Sequence, residues 1–253
     1  MDEDEDQRLF LLGVRAVPER LARRSGFPFD LAFVPDLDLT MGKPVTFFVG
    51  ENGSGKSTLL EAIASLARLP VSGGSRNELS SSHGPDQVSA LASVLRPVFR
   101  RRPKDGYFFR AEFHAHFASL LEERAVDPDF RDDPYKLYGG RSLHTRSHGE
   151  SFLSLMERRI GSGLYLMDEP EAALSPQRQL TLLALMAQLV ATVPCQFVIA
   201  THSPILLTYP DADIVSFDEP SLPRVRLEET SHYQITRQIL SEPARFWRHL
   251  KNG

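Results

Sequence analysis

A glycine-rich loop between an apolar strand and a helix constrains this chain more than any other feature. Residues 50–57 have the sequence GENGSGKS, which fits the pattern G-x-x-x-x-G-K-[ST] at every fixed position. The apolar run Pro44–Val49 precedes the loop. A buried helical stripe is predicted after it, at helical spacing, from Leu59, Leu60, Ile63 and Leu66. Such a strand–loop–helix unit favours phosphate binding, because loop amides and the positive end of the helix dipole face one anion.

The residues of the loop suit distinct tasks around a phosphate. Gly50, Gly53 and Gly55 let the backbone turn sharply and bring its N–H groups close to the anion. Lys56 supplies a point charge for the β- and γ-phosphates, and Ser57 supplies a hydroxyl for Mg²⁺. The predicted nucleotide contacts therefore cover the whole loop: Gly50, Glu51, Asn52, Gly53, Ser54, Gly55, Lys56, Ser57 and Thr58.

Two further strands end in residues that could complete such a site. Asp168 follows the apolar run Leu164–Met167, where it would coordinate Mg²⁺ directly or through water. Glu169 comes next and could polarise an attacking water. His202 ends the segment FVIATH, where an imidazole can bond a γ-phosphate or hold that water. A solvated acidic turn is the alternative for the two carboxylates, and a lone histidine is weak support by itself.

Strands that alternate with helices predict an α/β fold with a largely parallel central sheet. The predicted strands are Leu9–Val14, Pro44–Val49, Tyr107–Phe113, Leu164–Met167 and Gln196–Ala200, with Ile214–Phe217 and Arg224–Leu227 as a terminal hairpin or edge pair. The predicted helices are Gln87–Leu95, His116–Ala125, Glu150–Ile160, Gln177–Thr192 and a final amphipathic helix Tyr233–Leu250 weakened by Pro243.

Composition limits the setting in which such a site would act. The 253 residues carry a formal net charge of −4, so any nucleic-acid contact would need a local basic patch. One cysteine, Cys195, excludes an intramolecular disulfide framework and fits a reducing cytosol. The acidic segment 1–7 is the reverse of a secretory signal, and no run reaches the roughly 18–20 apolar residues of a membrane span. We therefore expect a soluble, cytoplasmic protein with no direct membrane insertion.

The motifs together resemble the ABC ATPase superfamily of P-loop NTPases from Leu9 to Phe217. The resemblance rests on GENGSGKST (50–58), LYLMDEPEAALS (164–175) and VIATHS (198–203). The longer segments PVTFFVGENGSGKSTLLEAIA, YGGRSLHTRSHGESFL and DEPEAALSPQRQL are similar to compact, stand-alone bacterial AAA family ATPases related to the SMC-, RecF- and OLD-like branch.

The resemblance implies one ABC-type domain over residues 1–253, with a central sheet, an antiparallel N-terminal β-subdomain and a helical insert. Its expected parts are an acidic tail (1–7), N-terminal strands with the phosphate loop (8–70) and a helical insert bearing the signature (71–162). The remaining part (163–253) would hold the acidic strand, the histidine strand and the C-terminal elements.

The resemblance also implies roles for residues outside the loop. Ser147 and Gly149 match a signature loop that closes on the γ-phosphate of an opposing subunit, although His148 replaces the usual glycine. Arg110 or Glu112 stands where the family has a glutamine. Phe29 and Phe33 are candidates for stacking on adenine by position alone.

The implied activity is Mg²⁺-dependent hydrolysis of the β–γ bond of ATP by an ATP-dependent homodimer, with Lys56, Glu169 and His202 as its catalytic residues. One use is DNA maintenance or anti-phage defence, with DNA held by a basic run: Arg96, Arg100, Arg101, Arg102 and Lys104. A second is the nucleotide-binding subunit of a transporter, which needs a separate partner protein in the membrane. A third is a slow ATP-gated interaction switch.

Overall fold

The computed structural model describes residues 8–75, 88–110 and 148–252. Within these ranges the strands are β1 (Leu11–Ala16), β2 (Asp38–Thr40), β3 (Val45–Val49), β4 (Gly74–Ser75), β5 (Leu95–Phe99), β6 (Gly106–Arg110), β7 (Gly163–Asp168), β8 (Cys195–Ala200) and β9 (Asp213–Ser216). The helices are α1 (Pro18–Leu21), α2 (Lys56–Leu66), α3 (His148–Arg159), α4 (Pro176–Thr192), α5 (Ser231–Ser241) and α6 (Pro243–Asn252).

A six-stranded sheet in the order β4-β6-β7-β8-β3-β9 forms the centre of the described structure. Strands β6, β7, β8, β3 and β9 run parallel, and the short β4 is antiparallel. Every residue of β3, β7 and β8 is buried, as expected of central strands covered on both faces. The prediction of a largely parallel α/β sheet is confirmed.

Alternate residues of the central strands point into two hydrophobic cores. Phe48, Leu166 and Val198 pack on one face with the apolar stripe of α2 and with residues of β1. Phe47 and Met167 pack on the other face with apolar residues of α3 and α4. The sheet is therefore the middle layer between α2 with the N-terminal strands on one side and α3 with α4 on the other.

A three-stranded antiparallel sheet in the order β2-β1-β5 forms the predicted N-terminal β-subdomain. The buried side chain of Gln196, on β8, attaches it to the central sheet. Its Oε1 accepts hydrogen bonds from the backbone N–H groups of Phe10 (3.0 Å) and Leu11 (2.8 Å). Its Nε2 donates to the carbonyl of Leu11 at 2.8 Å. A fully buried amide is thus satisfied by the strand it holds.

The helix predicted over Gln87–Leu95 is wrong. The structure has only a 3₁₀ turn at Leu91–Val94, which leads directly into strand β5. Pro97 lies within β5 opposite Val14 of β1. Proline is tolerated there because β5 is an edge strand, where a missing N–H group breaks no ladder.

Other predicted elements differ at their ends or fall outside the described residues. The final helix is divided into α5 and α6, and Pro243 begins the second of them. The predicted terminal hairpin is reduced to a single antiparallel bridge between Val215 and Arg224. The predicted helix His116–Ala125 lies outside the described residues, as does most of the expected insert. Of that insert, residues 88–110 contribute two strands rather than helices.

The register of the parallel strands brings their carboxyl ends to one edge. Arg110 pairs with Asp168, Asp168 pairs with Ala200, and Ala200 pairs with Phe48. The segments that follow β3, β7, β8 and β9 therefore leave the sheet side by side. In open α/β sheets this edge is where ligands bind.

Among the helices that the structure describes, none has the length and apolar character needed to cross a membrane.

Candidate functional site

The loop that follows β3 has a backbone that glycine permits. Gly50, Gly53 and Gly55 have φ values of 143°, 81° and 95°. At Gly55 a Cβ atom would also lie 2.7 Å from Cε1 of Phe33, so a side chain has no room there. Helix α2 begins at the next residue, Lys56. The first turn of α2 thus starts at a left-handed glycine, which leaves its amide groups accessible to an anion.

Lys56 lies across this loop and is only 4% exposed. Its Nζ donates to the carbonyls of Gly50 (2.7 Å) and Glu51 (2.9 Å), the first two residues after β3. Burial lowers the pKa of Lys56, and the carboxylates of Glu169, Asp218 and Asp168 oppose that shift. The ammonium is therefore held at the loop by two carbonyl oxygens, with three carboxylates nearby.

Ser57 and Asp168 bring the loop and the acidic strand together. The hydroxyl of Ser57 donates to Oδ1 of Asp168 at 2.9 Å, although 111 residues separate them. Asp168 is 8% exposed, and burial raises its pKa, while the Ser57 hydrogen bond and Arg110 lower it. A hydroxyl and a carboxylate are oxygen ligands of the kind that Mg²⁺ accepts beside phosphate oxygens. This pair fits the ion that the sequence predicted.

Arg110 joins Asp168 to helix α2. Its guanidinium is 3.6 Å from Oδ2 of Asp168 and 2.7 Å from Oε1 of Glu61. Of the two candidates for the position of the family's glutamine, Arg110 thus contacts Asp168, and Glu112 lies outside the described residues. Sequence reasoning missed Glu61, although it follows Ser57 by four residues and so lies on the same face of α2.

Glu169 has a left-handed backbone, with φ 48° and ψ 54°, which is uncommon for a residue with a side chain. Its N–H donates to the carbonyl of Ala200 at 2.9 Å and so continues the pairing of β7 with β8. Its carboxylate remains 46% exposed, with Oε1 3.5 Å from Nε2 of His202. Strained backbone of this kind concentrates at functional sites, where it aims a side chain.

His202 is fixed on both sides. Its backbone N–H donates to Oε1 of Glu171 at 2.6 Å. Its Nδ1 lies 2.9 Å from Nε2 of His232, which is on α5. Burial and the charge of Lys56 lower the pKa of His202, against the attraction of Glu169, so the ring is neutral near pH 7. Sequence reasoning gave no role to Glu171 or His232, since their link to His202 is tertiary.

The segment after His202 is fastened to helix α4. The hydroxyl of Ser203 hydrogen-bonds Oε1 of the buried Gln179, whose Nε2 donates to the carbonyl of Leu174 at 3.1 Å. The same hydroxyl accepts from the N–H of Ile205 at 3.2 Å. A 3₁₀ turn, Leu206–Thr208, follows this segment.

The remaining predicted residues of the site differ in their exposure and in their position relative to the loop. Glu51, Asn52 and Gly53 are exposed, and Ser54, Gly55, Ser57 and Thr58 are half-buried. Glu51 is tied down by Asp218, whose Oδ1 accepts its backbone N–H at 3.0 Å, a contact that the sequence did not indicate. Gly149 lies in the first turn of α3, and Ser147 lies outside the described residues.

The two aromatic candidates differ in exposure. Phe33 is 3% exposed and packs edge-on against Phe217 at 5.3 Å between ring centres, so its face is not open for stacking. Phe29 is half-buried, with the guanidinium of Arg24 5.6 Å from its ring centre. Of the two, only Phe29 presents part of its ring to solvent.

The predicted basic run is exposed along β5 and the loop that follows it. All five members are exposed: Arg96, Arg100, Arg101, Arg102 and Lys104. Arg101 lies over the ring of Phe10 at 4.4 Å, and Arg102 lies over Phe99 at 5.1 Å. The basic run thus lies in β5 and in the loop after it, outside the cluster formed by Lys56, Ser57 and Asp168.

Family models match two stretches of the chain. A model described as "AAA domain" matches residues 28–84, which include the loop. A model described as "AAA domain, putative AbiEii toxin, Type IV TA system" matches residues 78–208, more than half of the chain. The second stretch includes Asp168, Glu169 and His202.

Similar proteins were found both by sequence and among solved structures. The chain is 28% identical over 198 residues to the lipoprotein-releasing system ATP-binding protein LolD of Chromohalobacter salexigens, which covers 70% of this chain and 78% of that protein. It is 28% identical over 241 residues to the molybdenum import ATP-binding protein ModC of Hahella chejuensis, covering 83% of this chain but only 63% of that protein. A solved ADP conformation of an ATP-binding cassette of an ABC transporter superposes with a TM-score of 0.50, at 17% identity, over 93% of this chain and 96% of that one.

Proposed function

Because the chain belongs to the AAA domain family whose model spans residues 78–208, within the P-loop ABC ATPases, we propose that it binds ATP with Mg²⁺ and hydrolyses it. The observation that carries the proposal is the hydrogen bond between Ser57 and Asp168 at 2.9 Å. It joins the phosphate loop to the acidic strand at the edge where the parallel strands end. A phosphate site and a metal-binding carboxylate are thereby combined in one place.

The residues of this edge divide the work of phosphoryl transfer, which is mostly positioning and charge neutralisation. Lys56 and the loop amides hold the β- and γ-phosphates. Ser57 and Asp168 would hold Mg²⁺, which when bound neutralises charge on the phosphate oxygens. Glu169, whose carboxylate is exposed, accepts a proton from the attacking water. His202 donates a hydrogen bond from its neutral ring to the γ-phosphate or the water.

We place the second half of the site on another copy of the chain. In this proposal Ser147 and Gly149 of one subunit close on the γ-phosphate held by Lys56 of the other, so ATP joins two copies. The exposure of Glu51, Asn52 and Gly53 supports this arrangement, since the loop is accessible from outside the described structure. ATP-dependent dimerisation, measured by light scattering with and without Mg²⁺-ATP, tests it.

The activity itself is tested by binding and by phosphate release. Lys56→Ala removes a charge from the loop and is expected to weaken ATP binding roughly 10- to 100-fold, the value of one or two charge-assisted hydrogen bonds. Lys43→Ala is the matched control, because Lys43 precedes β3 at the far end of that strand. Calorimetric titration that gives equal affinity for wild type and Lys56→Ala would exclude the phosphate role.

For the process served, we propose DNA maintenance or defence against foreign DNA. Support comes from the five exposed basic residues of the run, which give a locally positive surface on a chain of net charge −4. Replacing Arg100, Arg101 and Arg102 by Gln should lower DNA affinity at low salt and flatten its salt dependence. Absence of DNA binding by wild type at low salt would remove this use.

A second use is the nucleotide-binding subunit of a transporter. It is favoured by the relatives, whose names describe ATP-binding proteins of lipoprotein release and molybdenum import. Co-purification with a membrane protein under mild detergent would support it, and retention of ATPase activity without such a partner would favour the first use. A measured turnover near zero in both settings would instead indicate an ATP-gated switch.

A further inference from the structure

The contact between His202 and His232 has no role in the mechanism described so far. Nδ1 of His202 lies 2.9 Å from Nε2 of His232, and the ring centres are 5.0 Å apart at an interplanar angle of 61°. At that distance the two nitrogens share one hydrogen, which one ring donates and the other accepts. The direction of the bond is therefore tied to which nitrogen of His202 carries the proton.

The opposite side of the His202 ring indicates the direction of this bond. Nε2 of His202 is 3.5 Å from Oε1 of Glu169, and it is buried without a hydrogen-bond partner among the described residues. An ionised carboxylate accepts and does not donate, so a lone pair on Nε2 would repel it. A hydrogen on Nε2 removes the repulsion and leaves the lone pair on Nδ1, facing His232.

We propose that His232 is a positioning residue that holds His202 in the Nε2–H tautomer. His232 donates its Nε2–H to Nδ1 of His202, and His202 then directs its own Nε2–H toward the side of Glu169, where it would be available to a bound phosphate. The opposite tautomer has no donor on that side and could not hydrogen-bond an anion. The part concerning phosphate rests on the proposed ATPase function, whereas the tautomer is a property of the protein without nucleotide.

His232 is itself held in place, as this role requires. It lies in the first turn of α5, whose N-cap is Thr230, a residue only 4% exposed. The hydroxyl of Thr230 accepts the N–H of Tyr233 at 3.4 Å and donates to the carbonyl of Leu227 at 2.8 Å. The start of α5, from which the side chain of His232 extends, is thereby fixed. His202 is fixed independently through its backbone bond to Glu171.

The test compares two substitutions of similar size. His232→Gln keeps a side-chain N–H that can reach Nδ1 of His202, whereas His232→Leu has none. We expect His232→Leu to lower kcat about tenfold or more, with KM for ATP unchanged. A tenfold loss corresponds to one hydrogen bond to a charged group, here the bond from Nε2–H of His202 to the phosphate. His232→Gln should restore most of the rate. Gln234→Leu, on the exposed side of the same helix, is the control and should match wild type.

Nitrogen NMR of histidine-labelled protein without nucleotide reads the tautomer directly, with His202 assigned from a His202→Asn variant. The wild type and His232→Gln should carry the proton on Nε2 of His202, and His232→Leu should show a mixture. If His202 has the same tautomer in wild type and His232→Leu, the proposal is overturned, whatever the rates. If the tautomer changes as expected but wild type releases no phosphate, the positioning role stands and the ATPase proposal fails.

Discussion

The carboxyl edge of the parallel sheet and the C-terminal helix α5 hold their polar side chains in opposite ways. At the edge, Lys56 and Asp168 are 4% and 8% exposed, each within 3 Å of a hydrogen-bond partner from the loop or α2. Helix α5 has no buried residue. The edge is thus built around buried polar groups, while α5 contacts it through a few residues, His232 among them.

The difference in burial indicates that the edge carries the proposed chemistry, whereas residues on α5 modulate it. Buried charges are costly unless they are paired, so the edge tolerates little change in its polar groups. Exposed ion pairs on α5 and α6 contribute little to stability, because water replaces a lost partner at little cost in free energy. Among the described residues, the bond between His202 and His232 therefore links a helix with no buried residue to the buried polar groups of the edge. Four pairs of measurements test this contrast.

The largest expected difference lies between two glutamates, one from each region. Glu169→Gln removes the proposed proton acceptor and is expected to lower kcat roughly 100- to 10,000-fold while ATP still binds. Glu242→Gln, between α5 and α6, should leave turnover unchanged, because Glu242 is exposed and pairs only with Arg245 at 3.4 Å in the described structure. Phosphate release and calorimetric ATP binding measure both.

Glu169→Gln should also accumulate ATP-bound dimers that elute early in gel filtration. Equal turnover of Glu169→Gln and wild type would show that Glu169 is not the base. The proposal that Glu169 at this edge takes part in hydrolysis would then fail, but the proposal that the edge binds phosphate would not be affected.

The next difference concerns the backbone of the edge. Gly55→Ala places a Cβ atom 2.7 Å from Phe33 at a φ of 95°, and we expect it to destabilise the fold by about 2 kcal/mol or more. Gly161→Ala meets nothing within 4 Å of the added carbon and should change stability by less than about 0.5 kcal/mol. Urea unfolding of both variants gives the comparison, and similar midpoints would contradict the tight packing at Gly55.

The edge could be predicted from the sequence because its key features are local. The spacing of Gly50, Gly55 and Lys56 is set by the backbone that a phosphate requires, and the strands before Asp168 and His202 are short apolar runs that only a covered sheet accommodates. Parallel strands then bring these ends to one side. Their roles in catalysis are still predictions, although the structure brings them together.

The contacts that tune the edge could not be predicted, because they join residues far apart in the chain. Arg110 reaches Glu61 across 49 residues, and His202 meets His232 across 30. Strand β5 was not predicted for the same reason, and the helix predicted over Gln87–Leu95 overlaps it only at Leu95. Pairing with β1 makes Leu95–Phe99 a strand. These contacts and this strand depend on tertiary pairing, which the local sequence pattern does not predict.

A smaller difference is expected between two ion pairs. Glu61→Gln breaks the 2.7 Å contact with Arg110 at a site where both side chains are less than a third exposed, which should cost about 1 kcal/mol of unfolding free energy. Glu242→Gln breaks a pair whose side chains are 77% and 62% exposed, and should cost less than about 0.5 kcal/mol. Equal costs in urea unfolding would mean that the edge holds its charges no more firmly than the helices do.

The smallest effect is a pH dependence carried by His202. Burial and Lys56 lower its pKa below the ordinary value of 6.5, so the unfolded chain binds the proton more readily than the folded one. This contribution to stability is complete above about pH 6.5 and is lost as the pH falls toward the folded pKa. His202→Asn should therefore flatten the decline in unfolding free energy between about pH 7 and pH 5.

The raised pKa values of Asp168 and Glu171 act on stability in the opposite direction. Both proteins contain these two residues, so the difference between the two curves isolates His202. Parallel curves would show that its ring is free to protonate in the fold, which the neighbouring ammonium and the bond to His232 should prevent.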